Sequence, residues 1–304
     1  VNRPGLFSAL ILGALAGCQA PPPEAPQGAE AGTRFLMSSF YADDATIGAG
    51  LTGLMNWYDD EGAALDGEAP EIGNDEAADY TLLPLAPDDL ATTQVSTTDR
   101  PLDSMNGVMA VSTVGCTFAQ VEELGARADQ EVVFEGEWAH YARTFETDRA
   151  AYEAATAGEI PAITAPIDPL TADFADTAGA LMLTSNPLGT SEFGTNLDYT
   201  LNLHFRHGTY LIQEEERSAT LILSWQPDPT TGAGGSNSLH QTFAIDALVE
   251  VDGGVRRFAA TWNDVESSAT GTDEIIVRLT VRRINRFAER MTELCADMSQ
   301  LPPE

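Results

Sequence analysis

Four histidines, His140, His204, His207 and His240, are the first residues to test for metal chemistry, and only His204-x-x-His207 forms a close pair. A zinc site needs three or four ligands at fitting spacing, and no cysteine or carboxylate stands at one beside this pair. His204 falls on the polar side of an alternating segment and His207 at a Gly208 turn, so both are expected in solvent. Gly189-Thr190-Ser191-Glu192-Phe193-Gly194 has the residue types of a nucleophile elbow, but that turn needs glycine two residues before and two after the serine. No phosphate-cradling Gly-x-x-x-x-Gly-Lys occurs, and a chain without lysine cannot form a Schiff base. Among 47 acidic residues any carboxylate pair is coincidence. The acidic run from Asp59 to Asp79 lacks the regular offsets around a required glycine that calcium loops use, and reads as a solvated loop. No catalytic residue, metal or cofactor is therefore expected, and the chain does not read as an enzyme.

The formal net charge of -32 argues against a nucleic-acid partner, because phosphate binding draws on lysine and arginine. All 15 basic residues are arginine, which reads as a compositional habit of a GC-rich genome or a saline habitat. At 304 residues and 43% hydrophobic the chain can bury a substantial core. No motif specifies a protein partner.

Residues 1–17 carry a short apolar run, Leu6 to Ala14, behind Arg3, the pattern of a targeting signal and too short to span a bilayer. Leu15-Ala16-Gly17-Cys18 resembles the lipobox of bacterial lipoproteins. The resemblance implies cleavage before Cys18, acylation of that cysteine and a lipid-anchored protein of the bacterial cell envelope. Gln19, where aspartate favours inner-membrane retention, leans toward the outer membrane. Ala14-Leu15-Ala16 also satisfies the small-x-small rule of ordinary secretion. Residues 18–33, with Pro21-Pro22-Pro23, Pro26 and Gly28, read as an extended tether. Export leaves Cys116 and Cys295 in an oxidising space, where they either pair as a disulfide or stay as two core thiols.

The elements that could position a site divide into an N-terminal helical and irregular segment, 34–106, and an α+β core domain, 107–300. Ile47, Leu51, Leu54, Met55 and Tyr58 have helical spacing behind an Asp43 or Asp44 cap, with Gly48, Gly50 and Gly53 allowing close packing. Val108 to Val114 reads as a strand. Thr117-x-x-Gln120 is a capping box opening a helix. A strand over 132–145, a helix over 149–157 capped by Asp148, a proline-rich loop over 160–170 and a strand from Ala180 follow.

The antiparallel meander begins where Leu197, Tyr199, Leu201, Leu203 and Phe205 alternate with polar residues, the pattern of one buried and one wet face. A turn at His207-Gly208 would set Phe205 opposite Tyr210 and Leu203 opposite Ile212. A strand through Ala219, Leu221, Leu223 and Trp225 stops at Pro227. A hairpin around Asp252-Gly253-Gly254-Val255 is expected to place Val249 against Phe258, Ala247 against Ala260, Ile245 against Trp262, and Glu250 against Arg257. A last strand, 275–282, should feed an amphipathic helix carrying Ile284, Phe287, Ala288, Met291, Leu294, Cys295 and Met298.

This order, a meander sheet closed by a C-terminal helix, resembles the helix-grip fold of START-like ligand-binding domains. The resemblance implies a sheet gripping the helix around an apolar cavity that binds or carries a hydrophobic small molecule or lipid. It offers Tyr199, Leu201, Phe205, Tyr210, Trp225, Trp262 and Phe287 as lining. The alternative is a structural or interaction lipoprotein in which the same residues simply fill a solid core.

Overall fold

In a computed structural model of the chain, the residues described are 23–71, 75–90, 100–134, 138–159, 166–167, 180–190, 196–232, 237–267 and 273–304. The signal segment, the lipobox with Cys18, most of the proline-rich stretch and the serine of the Gly189–Gly194 loop lie outside them. The fold is α+β: an antiparallel sheet with a C-terminal helix on one face, a helix-grip arrangement.

The strands are β1 (Thr81–Leu82), β2 (Asn106–Val114), β3 (Trp138–Phe145), β4 (Ala180–Thr190), β5 (Asn196–Asp198), β6 (Leu201–Ile212), β7 (Glu215–Trp225), β8 (Thr230–Thr231), β9 (Asn237–Val251) and β10 (Gly254–Ser267). Their order is β1-β2-β10-β9-β7-β6-β4-β3, with β5 on β4 and β8 on β9. The helices are α1 (Ala29–Ser39), α2 (Asp44–Asp60), α3 (Phe118–Gly125), α4 (Gln130–Val133), α5 (Arg149–Thr156) and α6 (Asp273–Ala296).

Local signals explain several starts. Asp43 caps α2 by accepting from Thr46 N at 2.8 Å. Thr117 and Gln120 form the reciprocal capping box of α3, and Asp148 caps α5. Within α2, a Cβ on Gly48 would lie 2.8 Å from Leu211 O, so only glycine lets the helix press onto β6.

Several expectations are corrected. α1 begins at Ala29, inside the stretch expected as a tether, and buries Leu36 and Met37, with Phe40 buried just past its end. Residues 130–133 form α4 instead of opening a strand. The His207-Gly208 turn does not exist: β6 runs on to Ile212, and Gln213 and Glu214 turn with φ 50 and 68. That strained turn is held by α2, where Thr52 accepts from Gln213 N and Asn56 and Asp59 accept from its side chain. Gly208 instead makes room for the Tyr210 ring.

The β9–β10 register differs from expectation by two residues, because the turn is the two-residue Asp252-Gly253, with Gly253 at φ 82. Phe258 therefore meets Ala247, Ala260 meets Ile245 and Trp262 meets Phe243. A shift of two preserves the face of every side chain. Arg257 pairs with Asp246 at 2.8 Å, not with Glu250. Finally, 275–282 is the first half of α6: Val277, Val281, Ile284, Ala288 and Met291 continue one helical stripe, and Val277 and Val281 suit both periods.

The sheet has no wet face over its centre. α1 and α2 cover one side, packing Leu36, Ile47, Leu51 and Leu54 on Tyr210, Leu221, Leu223, Phe243, Ile245 and Trp262. His204 and Arg206, expected in solvent, point into this layer. The His204 ring meets Tyr41 Oη at 2.5 Å, and burial pushes its pKa down to about 4. Arg206 donates to Phe40 O at 2.8 Å and to Asp44 at 3.2 Å, tying the α1–α2 corner to the sheet.

The opposite face carries α3, α5 and α6. There His207 is buried, 3.2 Å from the Thr220 hydroxyl. α6 docks on the β2 side through Val108, Ala110, Val277 and Val281, and its far end is fixed by the Cys116–Cys295 disulfide, whose Cα atoms lie 5.5 Å apart. Thr292 accepts from Gly115 N at 2.9 Å, and the Gln120 amide donates to Cys295 O at 3.1 Å.

Candidate functional site

Because α6 anchors along β2 and α3, it stands away from the middle of the sheet, and the space left beneath it is a cavity of about 640 Å³. Its floor is the α6-facing side of β6, β7, β9 and β10, including Leu201, Phe205, Ile222, Ala244 and Leu248. α3 and α4 close one side with Val121 and Phe134, β3 contributes Tyr141 and Arg143, and α6 roofs it with Ile284, Phe287 and Met291.

The cavity separates the residues proposed as lining. Tyr199, Leu201, Phe205 and Phe287 border it. Tyr210, Trp225 and Trp262 do not: they lie on the other face of the sheet, packed under α1 and α2. The reason is the strand period, since the most apolar face of β7, β9 and β10 is the one sealed by the N-terminal helices. The face that α6 covers mixes Ser224, Thr242, Asp246, Thr261 and Asn263 with aliphatic residues, and so resembles a wet surface in sequence.

Polar groups are concentrated at the α6 side. Arg257 donates to Asp246 at 2.9 Å and to Ile284 O at 3.2 Å, while its guanidinium lies 4.3 Å from the Phe287 ring centre. Phe287 stacks on Phe134 with centroids 4.7 Å apart. Arg143 donates to Gly125 O and lies over the rings of Tyr141 and Phe205, and its Nε has no hydrogen-bond partner among the described residues. Burial raises the Tyr199 phenol pKa, partly opposed by Arg283. Arg283, Arg286 and Arg290 also line the space, with Glu289 and Glu293 among them.

These arginines went unrecognised as a site because arginine is the chain's only basic residue type, and the fold alone brings β3, β10 and α6 together. No group of histidine, cysteine and carboxylate side chains suited to a metal ion occurs among the described residues.

Behind the cavity wall, α3 carries a buried carboxylate. Tyr152 Oη donates to Glu122 at 2.5 Å, Thr220 also hydrogen-bonds it, and burial pushes its pKa up to about 7.

No protein-family model and no curated protein matches the chain. Solved structures similar to it include an uncharacterized protein from Rhizobium leguminosarum, 10% identical with TM-score 0.31, covering 63% of this chain and 95% of that one. Ara h 8.0201 is 9% identical with TM-score 0.29, covering 63% of this chain and 98% of that one. Likeness at these scores carries no argument, and the reading of the site rests on its own geometry.

Proposed function

We propose that this is a cell-envelope lipoprotein whose folded body binds or carries a hydrophobic small molecule or lipid in the cavity beneath α6. The observation that carries the reading is the cavity itself. Its volume of about 640 Å³ falls within the roughly 300–1,000 Å³ of small-molecule sites. A solid core would fill such a space at crystal-like density. Leu201, Phe205, Ile222, Leu248 and Phe287 supply apolar walls, and the disulfide and the β2 contacts hold α6 in place as the roof. Mass spectrometry of an organic extract of the protein purified from its own membranes tests this. A co-purifying apolar species near one per chain is expected; a clean extract speaks for the purely structural alternative.

Anchoring rests on Leu15-Ala16-Gly17-Cys18. Two or three acyl chains on Cys18, at about 0.8 kcal/mol per buried methylene, would hold the body at a membrane despite its acidity. Cys18→Ser is expected to move the protein to the soluble fraction. Wild-type protein found soluble, with Gly17 as its N-terminus, would contradict the lipid anchor.

A further inference from the structure

Two polar groups on the cavity floor stand side by side with hydrogen-bonding capacity to spare, and strand register fixes their places. Phe205 pairs with Ile222, Ile222 with Asp246 and Asp246 with Ala259, one row across β6, β7, β9 and β10. Leu203, Ser224, Ala244 and Thr261 form the next row. Both rows border the cavity. Leu223 and Ile245, which alternate with Ser224 and Asp246 along their strands, are buried on the other face under α1 and α2. Ser224 and Asp246 themselves are only partly buried and open toward the cavity.

Asp246 holds Arg257 with one oxygen. The guanidinium Nε lies 2.9 Å and Nη2 2.8 Å from Oδ1, and Nη1 donates to Ile284 O at 3.2 Å. The pair is thus closed in charge, whereas Oδ2 accepts no hydrogen bond among the described residues. Nor does the Ser224 hydroxyl make one there. The polar neighbours differ: Thr242 donates to Asn263 at 3.0 Å, and the Asn263 amide donates to Thr261 at 3.2 Å, so they satisfy one another. A carboxylate oxygen walled by Phe205, Ile222 and Leu248 is costly to leave without a donor. Asp246 and Ser224 are diagonal neighbours across antiparallel β7 and β9, roughly 7–8 Å apart at Cα, a span that one oxygen lying between the two side chains bridges.

We infer that the cavity's guest is an uncharged apolar molecule carrying a free hydroxyl, which donates to Asp246 Oδ2 and accepts from the Ser224 hydroxyl. This rests on the carrier reading above and narrows its ligand class. A hydroxyl fits both positions because it donates and accepts at once. An ether or carboxylate oxygen would set acceptor against acceptor at Oδ2, and an ammonium would crowd the Arg257 guanidinium. The apolar body lies along Phe205, Ile222 and Leu248, beneath Phe287 and Met291 of the roof.

The full chain with Cys18→Ser is loaded with Nile red and titrated with decanol and with its isomer methyl nonyl ether, which has no hydroxyl donor. The readout is the ratio of the concentrations at which ether and alcohol displace half the dye; taking it within each protein cancels any change in dye affinity. The alcohol is expected to be about tenfold stronger, the scale of one hydrogen bond to a charged acceptor. Asp246→Asn keeps an oxygen for Arg257 and sets an NH2 group in place of Oδ2, which donates to alcohol and ether alike, so the gap should close. Ser224→Ala, which touches no ion pair, should narrow it. Thr242→Val removes a hydroxyl already engaged by Asn263 and should keep it. Circular dichroism checks that each variant is folded. Equal displacement by alcohol and ether in the parent, a gap that survives both Asp246→Asn and Ser224→Ala, or one lost as fully in Thr242→Val, overturns the hydroxyl clamp while leaving the carrier reading standing. Failure of the parent chain to bind Nile red overturns both.

Discussion

Replacing Glu122 with glutamine is expected to leave stability unchanged in mild acid and to raise it in mild base. Glu122 is buried on α3, and its hydrogen-bond partners among the described residues are the hydroxyls of Tyr152 and Thr220, not a guanidinium. Burial therefore dominates and lifts the carboxyl from 4.5 to about 7. Between those values the folded protein holds a proton that the unfolded chain has released. The contribution of Glu122 to stability is thus full below the unfolded pKa and is lost as pH rises through the folded one. Once both states are ionised, the cost is on the order of 3 kcal/mol, from 1.36 kcal/mol per unit. Glutamine keeps the size and the oxygen that accepts from Tyr152 but cannot ionise. Urea unfolding followed by circular dichroism at intervals from pH 4.5 to 8.5 gives the difference between the two proteins. The acidity of the rest of the chain acts on both and cancels. The variant should gain stability progressively across this window, approaching that magnitude at its upper end. A difference that stays flat, or a variant less stable at pH 8, would refute the assignment of a neutral buried carboxyl.

Two further outcomes concern the frame around the cavity. Cys116→Ala/Cys295→Ala opens a covalent loop with a sequence separation of 179, for which the chain-entropy model gives on the order of 5 kcal/mol as an upper figure. Denaturant unfolding should show a loss of several kcal/mol, and a loss below about 1 kcal/mol would mean that α6 stays docked without the bond. Gly48→Ala should destabilise by about 1–3 kcal/mol through overpacking against Leu211 O, despite alanine's better helix propensity. A neutral or stabilising result in the same assay would show that α2 and β6 can separate at little cost.

Elements whose signals are local were legible in sequence. The Thr117–Gln120 box and the Asp43 and Asp148 caps each act within a few residues, and each sits where its element starts; the β9–β10 hairpin is legible in place but not in register, because reading Asp252 to Val255 as the turn sets the pairing two residues off. What depends on the third dimension was not legible. Alternation in β7 and β9 divides two faces correctly but does not say which helix covers which face. The greasier face, with Trp225 and Trp262, was therefore assigned to α6 when α1 and α2 hold it. His204 and Arg206 look solvent-exposed beside aliphatic neighbours, and only the α1–α2 corner, with Tyr41, Phe40 O and Asp44, makes them buried. Val277 and Val281 fit strand and helix periods equally, so the start of α6 was undecidable from spacing. Arg143 and Arg283 lie far apart in sequence, and no pattern in the chain announces that they share a cavity with Tyr199.

The claim at the centre is that the space beneath α6 takes an apolar guest, and Nile red titration of the Cys18→Ser chain beside two single substitutions tests it most directly. Leu201→Glu puts a charge on the cavity wall; Leu211→Glu puts one on an exposed leucine of the same strand, outside the cavity. Blue-shifted, saturable fluorescence near one dye per chain is expected for the parent and for Leu211→Glu, and its loss in folded Leu201→Glu. Binding that is absent in the parent, or unaffected by Leu201→Glu, would contradict the claim.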